Sequence, residues 1–216
     1  MQEWVIFGFG DFISDIIDII HANEGKVKAV LDNDNLRQAD LDNLKRRLSL
    51  HPYEIPIIPL REFCPSRDEQ YMYGFLDTRE SVLKDLEKTY DITFSNLIHP
   101  SAYLGSHLSF GRGVCICPHA VISPNTKIDS FTLINRGCCI GHDVEIGEFC
   151  QVNPSASIAG LVTIGDRTTI GIGATVIDKI HIGVHCFVGA GAVVVKDVPD
   201  NVVVVGVPAK ILKKNE

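Results

Sequence analysis

The chain has 216 residues, 45% of them apolar and 22% charged, with a formal net charge of −7. That composition supports a buried core over one large domain or two small ones and excludes a largely disordered chain. The acidic balance, with basic runs no longer than Lys45–Arg47 and Lys213–Lys214, excludes a phosphate-backbone footprint, so no nucleic-acid partner is expected.

Met1 leads directly into an apolar run with no basic leader or small-residue cleavage site, and no stretch approaches about 18 uninterrupted apolar residues. The expectation is a soluble, cytoplasmic protein without membrane insertion. Cysteines at 64, 115, 117, 138, 139, 150 and 186 contain no CxxC pair, which fits reduced thiols rather than a disulfide framework or a zinc ribbon.

Val5-Ile6-Phe7, then Gly8-Phe9-Gly10, then an amphipathic run from Phe12 to Ile20 read as strand, tight turn and helix. Val27–Leu31 is the next strand. It ends in Asp32-Asn33-Asp34, about twenty residues past the glycines, where nucleotide-binding βαβ units place an acid for a ribose hydroxyl. The fingerprint is partial, because Ile13 stands where GxGxxG has its third glycine. Pro56–Leu60 and Tyr71–Phe75 read as strands and Arg79–Tyr90 as a charged helix. Residues 1–97 are expected to form an α/β, Rossmann-like half domain.

From Ile98 onward, stepping by six gives Leu104, Phe110, Ile116, Ile122, Ile128, Ile134, Ile140 and Ile146, and the register continues unbroken to Val194. Chance alone would produce such a column about once in 10⁵ registers. A second column, two residues earlier, holds compact residues such as Ala120, Thr126, Thr132, Cys138, Val144 and Cys150. One bulky and one compact inward position per six residues describe short strands stacked coil upon coil, with three faces to an 18-residue turn. Glycine follows the bulky column at 105, 111, 141, 147, 165, 171, 183 and 189, where the expectation is a corner needing backbone conformations that a β-carbon would penalise. Helical alternatives fail, because the spacing is 6 and 4 rather than 3, 4 and 7. Residues 98–216 are therefore expected to form a parallel β-helix followed by a C-terminal tail. Cys138, Cys150 and Cys186 fall in the compact column as core residues. Cys115, Cys117 and Cys139 fall outside it, with no role assigned.

The [LIV]-G-x-x-x-x pattern resembles the hexapeptide-repeat acyltransferases, which implies a left-handed prism and a homotrimer with active sites between neighbouring prisms. The run Val198-Pro199-Asp200 to Lys210-Ile211 resembles that family's closing segment near the CoA entrance. Taken with the βα unit and with Phe94–Ala102 leading into the repeat, nearly the whole chain resembles the bacterial sugar acetyltransferases of the sialic acid and bacillosamine pathways. The resemblance implies acetyl-CoA as cosubstrate and a nucleotide sugar held by the first domain at Gly8, Phe9, Gly10, Asp11, Asp32 and Asn33. The glycine turn here is shorter than the family's usual loop.

Acetyl transfer to an amine needs a base, an oxyanion donor and close approach of the two substrates. An imidazole is the natural base. The segment Asn135-Arg136-Gly137-Cys138-Cys139-Ile140-Gly141-His142-Asp143 resembles the family's catalytic stretch, which implies His142 as base, Asp143 as the carboxylate orienting it, and Asn135 on the acetyl-CoA side. One coil of 18 residues beyond His142 lies Gly160, whose backbone N–H is the expected oxyanion donor. Where family members often carry a second histidine, this chain has Gln151, which can donate a hydrogen bond but cannot titrate. Ile172 and Ala190, again 18 apart, match positions lining the CoA groove. His107, His119, His181 and His185 do not form the three-histidine arrangement of the γ-class carbonic anhydrases built on the same prism, and no metal is expected. The outward residues Leu133, Phe149, Leu161 and Phe187 are expected to be buried between protomers.

These residues point to N-acetylation of a nucleotide-linked 4-amino-deoxysugar in bacterial surface-glycan synthesis. O-acetylation of a sialic acid or related sugar, and a non-catalytic prism subunit, are the alternatives. The sugar, the nucleotide and the pathway are left open.

Overall fold

The computed structural model describes residues 1–8, 10–32, 38–74 and 80–215. The chain divides into two compact units, Met1–Leu97 and Ile98–Glu216. Among the described residues no helix is long and apolar enough to cross a membrane.

In the first unit β1 (Glu3–Phe7), β2 (Lys26–Asp32), β3 (Ile57–Pro59) and β4 (Glu69–Tyr73) form a parallel sheet in the order β3-β2-β1-β4. Helix α1 (Ile13–Ala22) connects β1 to β2, α2 (Gln38–Leu48) lies between β2 and β3, and α3 (Glu80–Tyr90) follows β4. Central β1 is apolar and buried from Trp4 to Phe7, as a parallel strand covered on both faces must be. Along α1, Ile13, Ile16, Ile17 and Ile20 fall at i, i+3, i+4 and i+7, and this stripe is buried.

Two elements differ from the sequence reading. Helix α2 was not anticipated, because it buries only Leu44 and Leu48 and shows at sequence level mainly as a basic run, Lys45–Arg47, in its last turn. Those cations sit favourably at the negative end of the helix dipole. The strand expected over Pro56–Leu60 narrows to β3, since the chain tightens into a 3₁₀ turn at Leu60–Glu62. The expected strand end at Phe75 and helix start at Arg79 lie outside the described residues.

The second unit is a parallel β-helix of two-residue strands with an 18-residue period. On a first face Cys115–Ile116, Leu133–Ile134, Gln151–Val152, Thr169–Ile170 and Phe187–Val188 pair in register. The second face stacks Tyr103–Leu104, Val121–Ile122, Cys139–Ile140, Ser157–Ile158, Thr175–Val176 and Val193–Val194. The third carries Ser109–Phe110, Lys127–Ile128, Glu145–Ile146, Thr163–Ile164 and His181–Ile182. After the last coil, Val202–Val205 continues the first face and pairs antiparallel with Lys210–Lys214.

Both inward columns are buried, the bulky one from Ile116 and the compact one from Val114. The threonines of the compact column are satisfied there. Thr126, Thr132 and Thr168 donate to the carbonyls of Gly141, Gly147 and Gly183 at 2.8–2.9 Å. Thr132 and Thr168 also accept the amides of Cys150 and Cys186 at 3.0 Å. Burial pushes the Cys138 and Cys150 thiols up to about 12, so these residues behave as small apolar groups and not as nucleophiles.

The glycines of the repeat are required for a different reason from the one expected. None of the eight has a left-handed backbone; each instead lies where a β-carbon would strike the next coil. At Gly141 that carbon would sit 2.5 Å from the carbonyl carbon of Ala159, and at Gly165 2.7 Å from the Val184 nitrogen. The left-handed conformation falls two residues later and is held mostly by ordinary residues, among them Asn125, Phe131, Asp143, Phe149, Leu161 and Lys179. At each of these corners the amide donates to a carbonyl one coil back, as Phe131 to Arg112 at 2.8 Å and Leu161 to His142 at 2.9 Å. A left-handed L-residue costs roughly 1–2 kcal/mol, and such a bond offsets it.

The expected interface residues divide. Leu133 and Phe149 are buried already in the single chain, with Phe149 stacked on Phe131 at 4.9 Å between ring centroids. Leu161 and Phe187 are exposed.

Replacing Thr132 by valine keeps the volume of the compact column but strands the Cys150 amide and the Gly147 carbonyl. Urea unfolding is expected to show a loss of about 1–3 kcal/mol; an unchanged midpoint would mean that the hydroxyl contributes nothing.

Candidate functional site

Each unit carries a candidate centre. In the β-helix the corner between the second and third faces places His142 and Asp143 side by side. Just before them Gly141 lets the coils close to contact. At the corner the Asp143 amide donates to the Pro124 carbonyl on one side, while the His142 carbonyl accepts the Leu161 amide on the other. The backbone of the pair is thus pinned from both neighbouring coils.

His142 Nδ1 lies 2.7 Å from Asp143 Oδ2, with the two side chains 61% and 43% exposed. An ionised carboxylate can only accept, so Nδ1 carries the proton and Nε2 presents its lone pair. Left-handed backbone at Asp143 sets this geometry between adjacent residues. Gly160 lies against the ring, where a β-carbon would sit 2.6 Å from His142 Nε2. Amides at this point of the coil face outward. At Ser130, Arg136, Glu148 and Val184 a side-chain oxygen takes them, while among the described residues the Gly160 amide, like those of His142, Asp166, Ile172 and Ala190, has no protein partner. The arrangement can accept a proton at Nε2 and donate a hydrogen bond from Gly160 within one small region.

The other predicted residues lie elsewhere on the prism. Asn135, Ile172 and Ala190 all follow first-face strands and occupy the corner between the first and second faces, across the second face from His142. Ile172 and Ala190 are exposed, but Asn135 is only 5% exposed and its Oδ1 accepts the Arg136 amide at 2.8 Å. Gln151 is half-buried on the first face. A groove of about 380 Å³ on the third face is lined by Ser109, Lys127, Asp129, Glu145 and Thr163, and does not include His142.

In the first unit the strand order places a topological switch between β1 and β4, and open α/β sheets bind ligands at the carboxyl ends of the strands beside such a switch. Gly8, left-handed at φ 68°, ends β1 there, and Gly74 ends β4 so close that a β-carbon would lie 2.5 Å from the Gly8 carbonyl oxygen. Gly10 and Asp11 follow, leading into α1, whose N-terminus has no side-chain cap. Asp32 closes β2 on the same edge of the sheet. Phe9 and Asn33 lie outside the described residues.

Arg47 was missed as a site residue. It reaches from the end of α2 to donate to the Asp11 carbonyl at 2.8 Å and to Asp11 Oδ1 at 2.7 Å. Its basic run was visible in the sequence, but nothing there placed it beside the glycine turn. Gly74 was read only as part of a strand.

No protein-family model matches the chain, and no curated protein matches it. Among solved structures it is similar to the perosamine N-acetyltransferase of Caulobacter crescentus in complex with CoA and GDP-perosamine, at 30% identity and a TM-score of 0.81, over 99% of this chain and 98% of that one. Further structures of that enzyme carry a single histidine replaced by asparagine or alanine. The acetyltransferase domain of PglB from Neisseria gonorrhoeae, at 23% identity and a TM-score of 0.83, has the same fold over 98% of this chain and 100% of that one. WeeI from Acinetobacter baumannii also shares it, at 22% identity and a TM-score of 0.81, over 98% and 100%. The β-helix is left-handed, as in these proteins.

Gly160→Ala sets a methyl group against His142. The backbone there has no need of glycine, so unfolding is expected to shift by less than about 1 kcal/mol. The His142 ring resonances in an NMR spectrum are expected to move as the imidazole leaves Asp143; unmoved resonances would mean that the ring does not rest on Gly160.

Proposed function

The chain belongs to the hexapeptide-repeat sugar N-acetyltransferases, and on that premise we propose that it moves the acetyl group of acetyl-CoA onto the amine of a nucleotide-linked 4-amino-deoxysugar in bacterial surface-glycan synthesis. The observation that carries this reading is the His142–Asp143 pair with Nε2 free beside an unpartnered Gly160 amide. The amine nitrogen attacks the thioester carbonyl while His142 Nε2 takes its proton, and Asp143 holds the ring and stabilises the imidazolium. Negative charge on the carbonyl oxygen meets the Gly160 N–H. The tetrahedral intermediate then collapses, the C–S bond breaks, and the proton held by His142 passes to the departing CoA sulfur. No covalent enzyme intermediate is needed.

In the first unit, Gly8, Gly10 and the uncapped start of α1 favour the diphosphate, since free helix amides attract anions. Arg47 adds a cation beside them and holds Asp11. Asp32, at the end of β2, is the candidate for the ribose hydroxyl. The neighbour at 30% identity is a perosamine N-acetyltransferase in complex with CoA and GDP-perosamine, which favours an amine acceptor over a sialic acid hydroxyl and leaves a guanine nucleotide as readily accommodated as a uracil one. Exposure of His142 disfavours the non-catalytic alternative.

The placement of the candidate site residues favours a homotrimer. Asn135, Ile172 and Ala190 are separated from His142 by the whole second face of one prism. In a threefold ring with the second face turned toward the axis, the His142 corner of one copy meets the Ile172–Ala190 corner of the next. CoA would then lie between copies, with Gln151 of one prism near the reacting carbonyl of its neighbour. Of the outward residues of that face, Tyr103 at 62% exposure, Val121 and Cys139 form an apolar stretch that favours such burial, followed by Ser157 and Thr175. Free thiols throughout the described chain fit a reducing compartment, the cytoplasm.

Release of free CoA from acetyl-CoA is expected with GDP-, UDP- or dTDP-linked 4-amino-6-deoxysugars, with kcat reduced by roughly 10² or more in His142→Ala. Turnover with a sialic acid alone would move the acceptor to a hydroxyl, and undiminished turnover in the variant would remove His142 as the base.

Thiol labelling of the native protein tests the assembly. Cys64 is expected to react readily and Cys139, exposed in the single chain, slowly. Equal rates would place the second face in solvent and rule out this packing.

A further inference from the structure

Outside the transfer site, the first unit gathers three metal-ligating side chains from two separate segments. Asp18 and His21 lie at i and i+3 on α1 and so share one face of the helix, and His51 follows the end of α2. One ligand atom from each lies within 4.8 Å of the other two. The His21 and His51 rings meet edge to face at 5.4 Å.

The surroundings resemble those of a metal-binding histidine. His21 Nε2 lies 2.7 Å from the Tyr53 hydroxyl, which also accepts the Val27 amide at 2.9 Å. Nε2 is thereby engaged, and Nδ1 remains for a metal. A ligating imidazole characteristically holds an outer partner on its second nitrogen, which fixes the ring. Beside the cluster a cavity of about 570 Å³, lined by Lys45, His51, Tyr53 and Glu54, offers an entry path and room for a water ligand.

We propose that Asp18, His21 and His51 bind one divalent transition-metal ion of the zinc type, pinning the end of α1 to the segment after α2. Two imidazole nitrogens and one carboxylate suit zinc, cobalt or nickel rather than magnesium or calcium, which take oxygen ligands. Tetrahedral ligands at 2.0–2.1 Å stand about 3.3 Å apart, so the present spacing closes by side-chain rotation of exposed Asp18 and half-buried His51. The site takes no part in acetyl transfer.

The test uses the full chain, stripped with a chelator and titrated with Zn²⁺ by calorimetry and with Co²⁺ by visible absorption. One Zn²⁺ per chain is expected, bound at least tenfold more weakly in Asp18→Asn and in His51→Ala, and about tenfold more weakly in Tyr53→Phe. Zn²⁺ is expected to raise the melting temperature of the wild type by about 2–4 °C and to leave the Asp18→Asn/His51→Ala double variant unmoved. Circular dichroism without metal checks that the variants fold. Absence of binding in the wild type overturns the proposal. So does equal binding in the double variant, or a cobalt spectrum with thiolate charge-transfer bands, which would assign the ion to Cys64 or Cys139.

Discussion

From Asn125 onward each left-handed corner residue of the β-helix gives its amide to a carbonyl one coil back, and the second unit depends on that bond. Glycine could relieve the strain at such positions, yet most are filled by other residues, among them His, Asn, Phe, Asp, Leu, Lys and Arg. Conformational cost is therefore accepted at each corner and offset by a hydrogen bond that exists only once the coil beneath is in place. The glycines serve the same stacking from the other side, by letting neighbouring coils approach closer than a β-carbon permits. Short strands with two inward residues each contribute little separately, but in this arrangement no coil holds its shape without a neighbour.

The corner that holds His142 and Asp143 takes its rigidity from that lattice. His142 and Asp143 need no dedicated scaffold, since the bonds that pin every corner also pin theirs, and the left-handed turn at Asp143 brings its carboxylate to the imidazole. At Gly160 the missing β-carbon accommodates the His142 ring, beside an outward amide that has no protein partner among the described residues.

The first unit works by a different logic. Its strand order places a topological switch between β1 and β4, where Gly8 and Gly74 let the strand ends pack closely, and Arg47 crosses from α2 to hold Asp11 in the turn after Gly8. The same helix leads to His51 beside Asp18 and His21. Helix α2 therefore governs both the proposed nucleotide site and the proposed metal site, although it buries little and carries a weak signal in sequence.

Most of the β-helix was legible in the residues, because a strict period converts sequence separation into distance. The six-residue columns defined the core, the 18-residue coil put Gly160 over His142, and adjacency alone paired His142 with Asp143. The period could not reveal why its glycines are needed, since close approach and backbone strain leave the same mark in a sequence. Nor could it tell that Leu133, Phe149 and Asn135 are buried, which depends on what packs around an outward position. In the α/β unit no period relates distant residues. A glycine turn and an acid after β2 were visible, but Arg47 on Asp11, Gly74 against Gly8, and His51 beside Asp18 and His21 arise from helix and strand packing, which local pattern does not encode.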